Sequence, residues 1–376
     1  MNNVIIPISM VLEFDDLGWD DGRDLRLNGK ASRSGLPRNH AMEDYEVIQR
    51  IIDKTGKSIS AAIIVGDWDK DNILRGEVGF THNPHGWDRA SEMDVEKTRK
   101  YIEFLESSDI DYMVHGVLHG RYDENGKQIN EHEYVLFNRV DGMSVGYLPS
   151  AEDMEHRLEV FFKICESWGM KKPFRGFVNP GGLMHSDDEL VKEMTKVLYK
   201  FGIRYWADPF IMWKPEDGPI KVYNGVACFR WKRNPGPMPW DAYDIDADCF
   251  MTVNGPDDQK KSCLHGSHWT NYLRFNPKKN FENVPAWERF YKRQGEVWGT
   301  MNGDNLASAV NQTFYYQFAK YTESNGVVNI DLSEVEKNKL DCHKNEFFIS
   351  IKKEFTPTSC DGGEISLYET HEKFDT

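Results

Sequence analysis

No window of the 376-residue chain approaches the roughly 20 consecutive apolar residues that a membrane-crossing helix needs. Long Lys/Arg runs are missing too. The 46 basic residues stand against 61 acidic ones, a formal charge of -15, which argues against nucleic acid or an anionic membrane as the main partner. The six cysteines, Cys165, Cys228, Cys249, Cys263, Cys342 and Cys360, form no C-x-x-C pair, so neither a disulfide framework nor a thiolate zinc site is expected. The N-terminal "MNNVIIPISMVLEFDD" has neither a basic n-region nor a small-residue cleavage site before it turns acidic, and the expected compartment is the cytoplasm. Repeats and low-complexity tracts are absent as well.

What is present is an alternation. "VIIPISMVLEF", "SAAIIVGDWD", "DIDYMVHGV", "KPFRGFVNP" and "GIRYWADP" read as strands. Between them, "MEDYEVIQRIIDKTG", "VEKTRKYIEFLESS", "SAEDMEHRLEVFFKICESWG" and "SDDELVKEMTKVLYKFG" carry apolar residues at helical spacing. An α/β fold follows, with a parallel sheet either closed as a barrel or open and doubly wound, and with sites at the carboxyl ends of the strands. Asp15, Asp16, His115, Asn179 and Asp208 all sit at or just past such ends. After about residue 275 the pattern changes. "NGVVNIDLS", "NEFFISIKKEF" and "GGEISLYETHEKF" suggest a small antiparallel, β-rich appendage, dividing the chain into residues 1–275 and 276–376.

The first strand ends on adjacent carboxylates, Asp15 and Asp16, which cost energy unless a cation or shared proton offsets them. In "MVHGVLHG", His115 and His119 are four apart, a spacing that in a helical turn puts both imidazoles on one side. With Asp16 they complete a His-His-carboxylate set that leaves coordination positions open, as in a catalytic metal site, while Asp15 is free to act as a base. "FRGFVNPGG" places Arg175 ahead of a Pro-Gly-Gly turn, and "SCLHGSHW" offers His265 and then His268. Taken singly, each of these also has an ordinary structural reading. Residues 19–40 form a long irregular loop whose Arg23, Arg26, Arg33 and Arg38 would suit an anionic substrate. Trp240 and Tyr243 could stack on a sugar face or simply pack, and His82 and His85 read as loop residues.

The order Asp-Asp, His-x-x-x-His, Arg with Pro-Gly, then Leu-His resembles the polysaccharide deacetylases of carbohydrate esterase family 4, over roughly residues 4 to 275. That resemblance implies an irregular (β/α) barrel and a divalent metal, zinc first and cobalt or nickel as alternatives, held by Asp16, His115 and His119. It further implies Asp15 as catalytic base, Arg175 as its tether, His265 as catalytic acid and Asp208 as the residue that orients the acid. The reaction it implies is attack of metal-bound water on an N- or O-acetyl carbonyl of a carbohydrate or glycan precursor. Two positions depart from the family pattern: Leu17 stands between Asp-Asp and Gly18, and Gly176, Phe177, Val178 and Asn179 separate Arg175 from its proline. Two other readings compete, a catalytically inactive deacetylase-like glycan-binding protein and a metal-independent glycoside hydrolase using two carboxylates.

Overall fold

The structure, a computed structural model, describes residues 3–20, 23–24, 30–31, 36, 38–140, 143–181, 188–208, 218–233, 243–244 and 262–366. Seven strands form its centre: β1 (Ile8–Leu17), β2 (Ile59–Ile64), β3 (Asp111–Gly116), β4 (Phe174–Val178), β5 (Tyr205–Asp208), β6 (Val226–Arg233) and β7 (Leu264–His268). Each pairs in parallel with the next in sequence, and β7 returns to pair with β1. The sheet is therefore a closed barrel. The decisive pairing is β5 with β6, Tyr205↔Ala227 to Asp208↔Arg230, without which the order would be an open sheet. A short antiparallel strand, Ile220–Tyr223, enters β6 as a hairpin.

Helices α1 (Met42–Thr55), α2 (Val95–Ser107), α3 (Ala151–Ser167) and α4 (Asp188–Lys200) lie between successive strands. Their starts are set locally: Asp94 accepts the Lys97 N–H at α2, and Ser150 accepts the Asp153 N–H at α3. The period-two alternation of the strands sorts the core. Leu12 and Phe14 share a cluster with helix residues such as Ile48 and Ile51, whereas Val11, Ala62, Met113, Val178, Ala207 and Leu264 belong to a separate cluster. Odd-numbered positions of β1 up to Asp15 thus face the barrel interior.

The expected break after residue 275 does not separate two cores. Helix α5 (Val284–Glu296) places Trp287 and Phe290 in the same cluster as β1 and α1. Strand β8 (Thr300–Asn302) pairs in parallel with residues 8–10 of β1. Helix α6 (Leu306–Phe318), capped by Asn305, packs Leu306, Ala309, Val310 and Phe314 onto the interior strand residues. Only beyond it does an appendage begin, with the antiparallel hairpin Lys320–Ser324 and Val327–Asp331. Of "NEFFISIKKEF", only Ser350–Ile351 is a strand, paired with Val4–Ile5. Of the last expected strand, residues 362–366 are not strand and 367–374 lie outside the described residues. No described helix is long and apolar enough to cross a membrane.

Candidate metal centre

β1 delivers its two carboxylates through a bulge. Its register against β2 runs Phe14↔Ala61 and then Leu17↔Ile63, so one extra residue is inserted where Asp15 and Asp16 stand. In a regular strand neighbours point to opposite faces, but the bulge, with Asp16 at φ 73°, breaks the alternation and re-aims a side chain. Gly18 follows at φ 121°, so close to β2 that a Cβ would lie 1.9 Å from the Ile64 carbonyl oxygen. That contact accounts for the glycine.

A second bulge serves β3. Ile63 pairs with Val114 and Ile64 with Gly116, leaving His115 as the extra residue. His119 follows in a turn, at φ 49°. The four-residue spacing of the histidines therefore works through a strand end and a turn, where a helical turn was expected. Left-handed conformations at two of three candidate ligands, Asp16 and His119, cost about 1–2 kcal/mol each and fit a site the surrounding fold imposes.

The side chains converge. Asp16 Oδ1 stands 3.7 Å from His115 Nε2 and 3.9 Å from His119 Nε2, and one ligand atom from each of the three buried residues falls within 4.8 Å of the others. On the other side, Asp16 Oδ2 is 3.8 Å from His268 Nε2. Asp15, in register with His268, places Oδ1 3.9 Å from His115 Nδ1. His115 Nδ1 donates to the Val178 carbonyl at 3.0 Å, which fixes the tautomer and turns an Nε2 lone pair toward Asp16. His115 Nε2 and Asp15 Oδ1 are buried polar atoms without a hydrogen-bond partner, a costly condition that a cation at this point relieves. A tetrahedral ion with bonds of about 2.0–2.1 Å spaces its ligand atoms about 3.3 Å apart, so small rotations bring this trio into range. The residues fit a divalent metal.

Other expected site residues are placed elsewhere. Arg175 is the extra residue of a third bulge, between Phe174↔Tyr112 and Gly176↔Met113, and it is exposed near the start of β4, the end of the barrel opposite the site. It does not tether Asp15. His265 pairs with Leu12 on the helix-facing side of β7, with its ring 5.8 Å from that of Phe290 in α5; His268, three residues on, is the histidine at the carboxyl end beside Asp16. Asp208 ends β5, at the correct end of the barrel, but its side chain lies outside the described residues, as do those of Arg23, Arg26, Arg33 and Trp240. Arg38 is engaged internally: it bonds both Asp44 oxygens at 2.7 Å and the Arg274 and Phe275 carbonyls. Asn179, just past β4, is buried and donates to the Pro180 carbonyl. His82 packs edge-on against Trp87, and the described residues hold no second metal-type cluster.

Among the buried carboxylates that no sequence motif singles out, two bond to the surroundings of the site. Asp44, in the first turn of α1, accepts from Arg38, Asn280 and the Ala41 N–H and pairs with His40 Nδ1 at 3.1 Å. Burial alone would raise its pKa, but the hydrogen bonds from Arg38 and His40 outweigh this and hold the carboxyl well below the usual range. His40 stacks on Trp269, whose indole N–H donates to the Asp44 carbonyl, so the network braces the residue next to His268. The second, Glu133, contacts the turn between His115 and His119. Neither lies in a motif, and no local signal singles out a carboxylate whose partners are remote in sequence.

No family model and no curated protein matches the chain. Solved structures to which it is similar include a 4-alpha-glucanotransferase from Thermococcus litoralis, 9% identical with a TM-score of 0.41, where 81% of this chain aligns with 40% of that one. They also include a mutant pseudoenzyme of the CE4 family, 12% identical with a TM-score of 0.38, over 81% of this chain and 68% of that one. A third is a family 4 acetyl xylan esterase from Clostridium thermocellum in complex with a cobalt ion, 10% identical with a TM-score of 0.36, over 80% of this chain and 89% of that one. The chain thus spans less than half the length of the glucanotransferase, and with every TM-score below 0.5 its chemistry has to be read from its own residues.

Proposed function

We propose that this chain is a metal-dependent hydrolase that removes an acetyl or related acyl group from a carbohydrate or glycan precursor. The observation that carries the reading is the convergence of Asp16, His115 and His119 at the carboxyl end of a closed parallel barrel, with Asp15 and His268 beside them. Asp16 Oδ1, His115 Nε2 and His119 Nε2 would hold the ion. A divalent cation bound there supplies Lewis acidity toward water and toward the substrate carbonyl.

The remaining steps belong to the protein. Asp15 Oδ1, buried and not committed to any hydrogen bond, takes the proton from the attacking water. His268 Nε2, on the opposite side of Asp16, gives a proton to the departing amine or alcohol. The Val178 carbonyl keeps His115 in the tautomer that ligation requires. The carbohydrate class and zinc as the ion proposed first both rest on the order of the sequence motifs, and a two-histidine, one-carboxylate donor set is one that zinc accepts.

The test is metal content of the purified protein beside an Asp16→Ala, His115→Ala double variant, followed by acetate release from acetylated sugar oligomers. About one equivalent in the wild type, lost in the variant, with acetate release that follows metal loading, supports the reading. A wild type that stays metal-free after exposure to zinc, cobalt and nickel removes the basis of the mechanism.

A further inference from the structure

Glu133 is fully buried, 14 residues beyond His119, in the segment between the short strands Gln128–Asn130 and Leu136–Val140. Both of its oxygens accept the Val117 N–H at 2.9 Å, and Oε2 also accepts the Leu118 N–H at 3.1 Å. Residues 116–118 are the connection between the two candidate histidine ligands. The fit is close: at Gly116, φ 128°, a Cβ would meet Glu133 Oε2 at 2.6 Å and Pro180 Cγ at 3.1 Å. Behind the carboxylate stands Arg157, 1% exposed, with Nη1 4.0 Å from Oε1. Arg157 is fixed in turn by Asp153 at 3.3 Å, by the Gly79 carbonyl at 3.2 Å and by the Phe80 ring, whose centroid is 4.4 Å from its guanidinium carbon.

A carboxylate in the interior is costly, and burial raises the Glu133 pKa despite the favourable charge of Arg157 and the two backbone donors. A turn of three residues could be closed without such a group. What Glu133 adds is a fixed shape: two amides are gathered on one side where the chain bends between His115 and His119, and His119 follows in a left-handed conformation with Nε2 3.9 Å from Asp16 Oδ1.

We infer that Glu133 is a positioning residue for the metal: by holding residues 116–118 it orders the two histidines before an ion arrives, so that little of the binding free energy is spent on the loop. This rests on the reading of Asp16, His115 and His119 as metal ligands. Side chains of this kind, which touch the ligand-bearing segment and not the ion, typically govern affinity by 10–100-fold.

The experiment titrates the full-length, metal-stripped chain with Co2+ and follows the d–d absorption bands, comparing wild type with Glu133→Gln, which replaces one acceptor oxygen by a donor facing the Val117 N–H. The expected result is an affinity weaker by about 10–100-fold in the variant, with its near-ultraviolet circular dichroism retained. Amide exchange on the wild type makes the test independent of whether the variant folds: the Val117 and Leu118 amides should already be protected without metal. Equal Co2+ affinity in a folded Glu133→Gln protein, or amides that exchange freely until metal is added, overturns the role of Glu133 while leaving the metal reading intact. A wild type that binds no Co2+ overturns both.

Discussion

His265 and His268 are three residues apart in β7, an odd separation, so a regular strand sends them to opposite faces. The interior face belongs to His268, with Nε2 3.8 Å from Asp16 Oδ2; the helix-facing side belongs to His265, against Phe290. Replacing His268 by Ala is expected to lower kcat about 10²–10⁴-fold with metal content unchanged, the loss typical of a general acid. Replacing His265 by Ala leaves kcat within a few-fold and lowers the melting temperature. Steady-state kinetics on an acetylated oligosaccharide, with metal analysis of each variant, decide between them; the reverse pattern would return the acid role to His265. The Leu-His dipeptide drew attention to His265 because a motif read along the chain has no register. Counting alternate residues from interior-facing Leu264 selects His268, but that Leu264 faces inward becomes known only when β7 is placed against β1.

Among the helices, α1 carries the most consequential first turn. Asp44 ties it to the segment ahead of it through Arg38 and His40 and to Asn280, near the start of α5. Because the folded-state pKa is depressed, the folded chain binds the Asp44 proton more weakly than the unfolded chain does. The stabilisation is therefore fully present above the unfolded value of 3.8 and is lost as pH falls below it. Asp44→Asn leaves Arg38 without its charge partner and is expected to cost about 3 kcal/mol at pH 7. Denaturant unfolding should show that deficit shrinking below about pH 4, where the unfolded wild-type chain takes up the Asp44 proton while the folded chain does not. A deficit that stays constant down to pH 3 would mean that the pair acts by packing alone. Arg38 illustrates how an exposed-looking sequence position misleads: a loop of arginines suggests an anionic ligand, whereas this arginine is satisfied by the protein itself.

At the scale of the molecule, residues 284–318 complete the core around a barrel that β7 has already closed. Burying Leu306, Val310 and Phe314 contributes roughly 2 kcal/mol each, about 6 kcal/mol together, which is comparable with the 5–15 kcal/mol net stability of a typical domain. A chain ended at residue 275 is accordingly expected to show no cooperative unfolding transition by circular dichroism and to expose its interior strands to a hydrophobic dye. A cooperative transition with bound metal would show that α5, β8 and α6 are dispensable. The strands and helices of the first two thirds, and the Asp16, His115, His119 set, were determined by amino-acid order alone, because apolar periodicity and residue type are local properties. Only the tertiary structure decided that the sheet closes, that bulges aim Asp15, Asp16 and His115, that Arg175 turns to solvent, that His268 faces Asp16, and that Glu133 and Asp44 brace the site. The physical reason is that register is a relation between segments tens to hundreds of residues apart, and a shift of one residue reverses the face of every side chain that follows.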